Sequence, residues 1–99
     1  MKERAVVKKC KDYIASINGV AVKQTGGPFA ERGVPDLLCC VRGRFIAAEL
    51  KAPGKKPTLM QLLQVQRFIR AGALAFVCDN FDDFKRTVDN FLSRGEEMV

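Results

Sequence analysis

Three residues could do chemistry together: Asp36, Glu49 and Lys51. Glu49 and Lys51 close the run Phe45-Ile46-Ala47-Ala48-Glu49-Leu50-Lys51, and side chains two apart on a strand share a face. A carboxylate and an ammonium in so apolar a strand are costly unless they pair or bind something. Asp36 stands thirteen residues before Glu49, at the end of Gly33-Val34-Pro35-Asp36. Pairing about a turn at Arg42-Gly43-Arg44 matches Lys51 to a position near Gly33–Asp36, so Asp36 can sit beside the Glu49 end. Two carboxylates suit a hard divalent cation. Such a cation polarises a scissile phosphate and lowers the pKa of a bound water. A lysine beside it can orient or help deprotonate that water, or stabilise charge on phosphorus. The chemistry that fits is phosphodiester hydrolysis. Glu-x-Lys alone is a weak signal, because a structural salt bridge at a strand edge has the same spacing.

These residues need elements to hold them. Residues 2–18 have helical periodicity, with Glu3, Val7, Cys10, Ile14 and Ile17 on one stripe and Asn18-Gly19 as the stop. Glu3 is a charge on an apolar stripe. A first-turn glutamate favoured by the helix dipole explains it without a site role. Val20–Gln24 reads as a short extended piece and Thr25–Pro28 as a loop. Leu37, Cys39 and Val41 alternate with Leu38, Cys40 and Arg42 in the first strand of the hairpin, and Phe45–Lys51 is the second. Thr58 is the N-cap of a helix over about 59–71, whose apolar side is Leu59, Leu62, Leu63, Val65, Phe68 and Ile69. Ala73–Cys78 is an apolar run of strand length, expected to be buried. A last helix follows Asp79–Asp83, with Phe84, Val88, Phe91 and Leu92 inward. The order α-β-β-β-α-β-α predicts an α/β fold, a small mixed sheet flanked by helices.

Composition narrows the chemistry further. The 99 residues suffice for one domain, taken as 1–99, with a thin core. There is no histidine, which removes Ser-His-Asp triads and histidine-based zinc sites. Cys10, Cys39, Cys40 and Cys78 form no CxxC pair and read as reduced, mostly buried apolar side chains. The net charge is +6, unevenly placed: residues 1–60 carry twelve Lys/Arg against five Asp/Glu, and residues 61–99 carry five against six. A basic first half points to an acidic partner, nucleic acid being the usual one. Lys23, Arg32, Arg42, Arg44, Lys55 and Lys56 are candidates for phosphate contacts, which give affinity without base readout. No apolar run approaches the roughly 20 residues of a membrane span, and the charged start lacks a secretory core. A cytoplasmic protein is expected.

Gly33-Val34-Pro35-Asp36, Glu49-Leu50-Lys51, Pro57-Thr58-Leu59-Met60-Gln61 and Gly72 together resemble the virus-type replication–repair (VRR-NUC) branch of the PD-(D/E)xK nucleases. The similarity runs from about residue 3 to Asp79. It implies a restriction-endonuclease-like core. It also implies a site built from Glu3, Asp36, Glu49, Lys51 and Gln61: Asp36 and Glu49, with Glu3 as a third candidate, on Mg²⁺ or Mn²⁺, Lys51 on the water, and Gln61 orienting Lys51 or the nucleophile. Gln64, on the neighbouring turn, is the competing choice for the glutamine. Stand-alone members resemble phage proteins and act as homodimers on branched DNA. The resemblance therefore implies a structure-specific endonuclease of the Holliday junction resolvase kind, at work in a phage-infected or bacterial cell. A nickase, a flap nuclease and a catalytically silent DNA-binding module are the rival readings.

Overall fold

The computed structural model describes residues 3–97; Lys2, the first residue of the expected opening helix, lies outside them. The order is α1 (Glu3–Ser16), β1 (Val20–Lys23), β2 (Leu37–Val41), β3 (Arg44–Leu50), α2 (Leu59–Arg70), β4 (Leu74–Cys78) and α3 (Phe81–Glu97). This is the expected α/β sequence of elements. Asn18 ends α1 in the left-handed region (φ 65), and the Gly19 amide returns to the Ile14 carbonyl at 2.9 Å.

The four strands lie in the order β1-β2-β3-β4, antiparallel up to β3 and parallel between β3 and β4. The hairpin turn contains only Arg42 and Gly43, at φ 53 and 77, and Val41 pairs with Arg44. Positive φ at both central residues is the turn whose twist matches that of antiparallel strands. Arg44 is thus the first residue of β3 and not part of the turn.

Each face of the sheet has its own cover. Leu37, Cys39, Val41, Ile46, Ala48 and Leu50 meet α1 (Val6, Val7, Cys10, Ile14) and α3 (Phe84, Val88, Leu92) in the larger core. Tyr13 of α1 donates a hydrogen bond to Asp89 of α3, closing that layer. On the other face, Ala47 and Ala75 meet Val65 of α2, with Leu38, Phe68 and Val77 around them. Since α2 links the parallel pair β3 and β4, it is the crossover of a βαβ unit.

Three expectations need correction. The apolar side assigned to α2 is only in part its packed face: Val65 and Phe68 meet the sheet, but Leu59, Leu62, Leu63 and Ile69 are 72, 44, 50 and 45% exposed, and the buried residues are Gln64 and Val65. The helix carries apolar residues around more than one face, and periodicity cannot say which face a sheet will take. β4 is an edge strand with only Ala75 buried, because the parallel crossover puts it outside β3. Cys40 is exposed, since it points away from the large core, whereas Cys10 and Cys39 are buried. Burial pushes the Cys10, Cys39 and Cys78 thiols up to about 12, which keeps them protonated and unreactive.

Candidate active site

The hairpin register does the first part of the assembly. Leu37 faces Ala48, so continuing the ladder by one residue sets Asp36 opposite Glu49. The Leu50 amide donates to Asp36 Oδ2 at 3.1 Å, and the Asp36 carbonyl accepts from the Gln24 amide at 2.6 Å. Asp36 is therefore held from β3 by its side chain and from the end of β1 by its backbone. Glu49 pairs with Val77 of β4 on its other side. Lys51 continues the strand, its amide donating to the Cys78 carbonyl at 2.9 Å.

Glu49 is 1% exposed, and its Oε2 has no hydrogen-bond partner among the described residues. Burial pushes its carboxyl up to about 8, and the neighbouring Asp36 carboxylate adds to the shift through charge and a hydrogen bond. The Lys51 charge opposes this rise, and Glu3 adds a smaller push upward. A buried carboxylate oxygen with nothing to accept from is expensive. A cation held between Asp36 and Glu49 would satisfy it, and an all-oxygen donor set suits a hard divalent ion. Glu3 is exposed and reaches Glu49 only through its field. Among the described residues, no three His, Cys, Asp or Glu side chains gather closely enough to enclose a metal. The two acidic groups that the hairpin brings together, and that could hold a cation, are Asp36 and Glu49.

The glutamines are both engaged. Thr58 caps α2, and Gln61 completes the cap: the Gln61 amide donates to Thr58 Oγ1 at 3.2 Å, and Gln61 Oε1 accepts from the Thr58 amide at 2.8 Å. This reciprocal box satisfies two otherwise unpaired donors. Gln64 is buried against the loop that leads to Asp36, its Nε2 donating to the Arg32 carbonyl at 2.9 Å. That tie was not read from the sequence. Its signal is a polar residue in line with Phe68 and Ala71, where an apolar one would be expected.

The six basic candidates separate. Lys23 ends β1 beside Leu37, Arg32 lies on the loop entering Asp36, and Lys55 and Lys56 follow β3, so these four flank the end of the sheet where β2 begins and β3 finishes. The Gly54 amide donates to Asp79 Oδ2 at 3.0 Å, tying the Lys55–Lys56 loop to the end of β4. Arg42 and Arg44 are at the opposite end of the hairpin, five strand residues or roughly 17 Å from Asp36. Arg44 donates to the Phe91 carbonyl at 2.7 Å and lies 3.8 Å over the Phe91 ring, so α3 engages its guanidinium. The Arg42 charge acts on Tyr13.

No family model matches the chain. A protein of Acyrthosiphon pisum secondary endosymbiont phage 1 described as "Putative nuclease p44" is 35% identical over 83 residues, covering 83% of this chain and 87% of its own length. A solved structure described as "VRR_NUC domain" superposes with a TM-score of 0.77 at 30% identity, over 90% of this chain and 96% of that one. The chain belongs to the VRR-NUC family. A second solved "VRR_NUC domain protein", at 15% identity and a TM-score of 0.78 over 94% of this chain and 89% of that one, has the same fold. The VRR-NUC domain thus accounts for the mixed sheet and its flanking helices, and the PD-(D/E)xK arrangement of its strands is the one found here. Among the described residues, no helix is long and apolar enough to cross a membrane.

Proposed function

We propose that this VRR-NUC protein is an endonuclease that hydrolyses phosphodiester bonds in DNA with Mg²⁺ or Mn²⁺, acting on branched DNA in the manner of a Holliday junction resolvase. The observation that carries the reading is the orphaned, buried Glu49 Oε2 beside Asp36, on the strand that also bears Lys51. Asp36 and Glu49 would hold the cation, with Glu3 as a third candidate ligand at the start of α1. A bound divalent cation supplies polarisation of the phosphate and a lower pKa for the attacking water. Glu49 gives up its proton to bind it. Lys51 positions the water and offsets charge on the phosphate. Gln61 orients Lys51 or the nucleophile. Lys23, Arg32, Lys55 and Lys56 would track the phosphate backbone around the site, and Arg42 and Arg44 a more distant stretch.

A two-fold dimer fits both substrate and surface. Two sites on one symmetric body can cut two strands of a junction. Leu59, Leu62 and Leu63 on α2 are exposed and supply an apolar surface that a second copy can cover. A bacterial or phage-infected cytoplasm is the setting this activity implies.

The test is cleavage of labelled four-way junction, flap, splayed-arm and linear duplex DNA with Mg²⁺, Mn²⁺ or EDTA, comparing wild type with Lys51→Ala. Metal-dependent cutting that the variant loses is expected, with symmetric paired cuts in the junction. Cutting of flaps or single nicks in duplex would replace the resolvase reading. DNA binding without cutting in either metal would make the protein a silent binding module.

A further inference from the structure

α2 contains a residue that neither helix capping nor apolar packing explains. Gln64 is 4% exposed, and with Glu49 it makes up the buried polar and charged side chains among the described residues. A methionine would fill a similar volume without burying an amide. Both ends of the Gln64 amide are used. Nε2 donates to the Arg32 carbonyl at 2.9 Å, and Oε1 accepts from Arg67 Nη1 at 2.9 Å. Arg67 Nη1 also donates to Glu31 Oε1 at 3.2 Å, but both of those side chains are more than 60% exposed, so that outer ion pair is worth little.

What Gln64 grips is the segment that delivers Asp36. Between Arg32 and Asp36 the backbone has almost no slack. Gly33 adopts φ +76 and rests on the first turn of α2, where an added Cβ would lie 2.7 Å from Met60 Cγ and 3.0 Å from the Met60 carbonyl carbon and oxygen. Pro35 is fully buried, and proline fixes its own φ. Asp36 then places its carbonyl on the Gln24 amide and its carboxylate on the Leu50 amide. A displacement at Arg32 is passed along this short, fixed stretch to the Asp36 carboxylate.

We propose that Gln64 is a positioning residue: by holding the Arg32 carbonyl against α2, its amide sets the Asp36 carboxylate against the Leu50 amide and beside Glu49. The functional part of this inference rests on the reading of Asp36 and Glu49 as a cation-binding pair; the geometric part does not. The Leu50 amide therefore provides the first readout. In the metal-free, ¹⁵N-labelled protein, its resonance reports the hydrogen bond to Asp36, with Asp36→Asn as the reference for a weakened bond. Three variants separate the contacts. Gln64→Met loses both hydrogen bonds, Gln64→Glu keeps the acceptor for Arg67 but loses the donor to Arg32, and Arg67→Met leaves that donor in place. Both Gln64 variants should move the Leu50 resonance toward its position in Asp36→Asn. They should also weaken Mn²⁺ binding, measured by titration calorimetry well below the unfolding temperature, by about 10–100-fold, the usual effect of removing a group that orients a metal ligand. Arg67→Met should leave the Leu50 resonance in place. Excess Mn²⁺ should restore cleavage in the Gln64 variants, which a loss of folding would not allow. If a Gln64 variant does not fold, Gln64→Asn, one methylene too short to reach Arg32, carries the same two measurements. An unmoved Leu50 resonance and wild-type Mn²⁺ affinity in the folded Gln64 variants would overturn the proposal. A wild type that binds no Mn²⁺ overturns the cation-site reading instead, and the Leu50 resonance alone then decides the role of Gln64.

Discussion

Asp36 and Glu49 stand opposite each other at the end of the β2–β3 ladder, one carboxyl tied to the Leu50 amide and the other buried with an oxygen unpartnered. This is an unfavourable pair in the absence of a cation. Burial and the Asp36 charge hold the Glu49 carboxyl at about 8, so it keeps its proton over a range in which an exposed glutamate has lost it.

Stability should show this directly. A folded-state pKa above the unfolded one means that stability is full below the unfolded value, near 4.5, and is lost as pH rises through about 8. Glu49→Gln removes the titration. In metal-free buffer, its advantage in unfolding free energy over wild type should be smallest near pH 4.5. It should grow with pH to a few kcal/mol, on the order of the pKa shift, and level off above about pH 8. Urea denaturation of both proteins across this range checks it, and a constant difference would count against the buried-acid description.

If Glu49 is a ligand of the proposed cation, binding must remove the same proton. Mn²⁺ affinity should therefore rise with pH up to about 8 and then flatten, with close to one proton released per ion near neutrality. Titration calorimetry in two buffers of different ionisation enthalpy counts that proton. Below pH 8, buffer-independent heats would mean that Glu49 is not a ligand.

The α2 cap allows the two possible duties of Gln61 to be separated. Thr58→Ala removes the hydroxyl that receives the Gln61 amide and should cost about 1 kcal/mol. A loss of this size lowers the melting temperature by roughly 4–8 °C in a domain of this size. Gln61→Glu keeps the reciprocal box, since glutamate serves at that position equally well. It should melt close to wild type yet cleave DNA more slowly if the Gln61 amide works at the site. Wild-type cleavage by this variant would confine Gln61 to the cap.

Gly33→Ala should be among the most damaging single-methyl changes in the chain. A left-handed φ costs a residue with a Cβ roughly 1–2 kcal/mol, and the new methyl would press on the Met60 backbone, which cannot rotate away. Trimming Met60 to alanine in the same protein should recover little, because the carbonyl carbon and oxygen of residue 60 remain in place. Thermal melts of the single and double variants decide this.

The exposed leucines of α2 give a prediction about assembly. Replacing Leu59 and Leu63 by serine should leave the melting profile of the protomer nearly unchanged, as both side chains are at least half exposed, and should shift a dimer to monomer in sedimentation. A wild type that sediments as a monomer at micromolar concentration would remove the dimer from the proposed mechanism.

The sequence showed some of this plainly and hid the rest for identifiable reasons. The hairpin was legible because Leu37, Cys39 and Val41 alternate up to an Arg-Gly-Arg turn, but its register was not, since the turn takes only Arg42 and Gly43 and Arg44 joins the ladder. The start of α2 was legible because Thr58, an N-cap residue, stands directly before the apolar-periodic run, whereas the capping box with Gln61 was not read. The packed face of α2 was not. Leu59, Leu62, Leu63 and Ile69 outnumber Val65, yet the sheet takes the face with Val65 and Gln64 because the loop entering Asp36 docks there. Arg44 was equally opaque. Its contact with α3 had no signal in the sequence, since only the folded chain brings the Phe91 ring and carbonyl within its reach, 47 residues away.

The turn at Arg42–Gly43 also has a consequence in time. Strands joined by two residues can pair within about 1–10 μs, because little loop entropy is lost, whereas the parallel pairing of β3 with β4 must wait for α2 to cross the sheet. Asp36 and Glu49 are partners within the hairpin itself, so the fastest-closing part of the chain is also the part that brings its two acids face to face. The grip of Gln64 on Arg32 comes with the slower crossover, so the acids can meet before the loop that carries Asp36 is tied to α2.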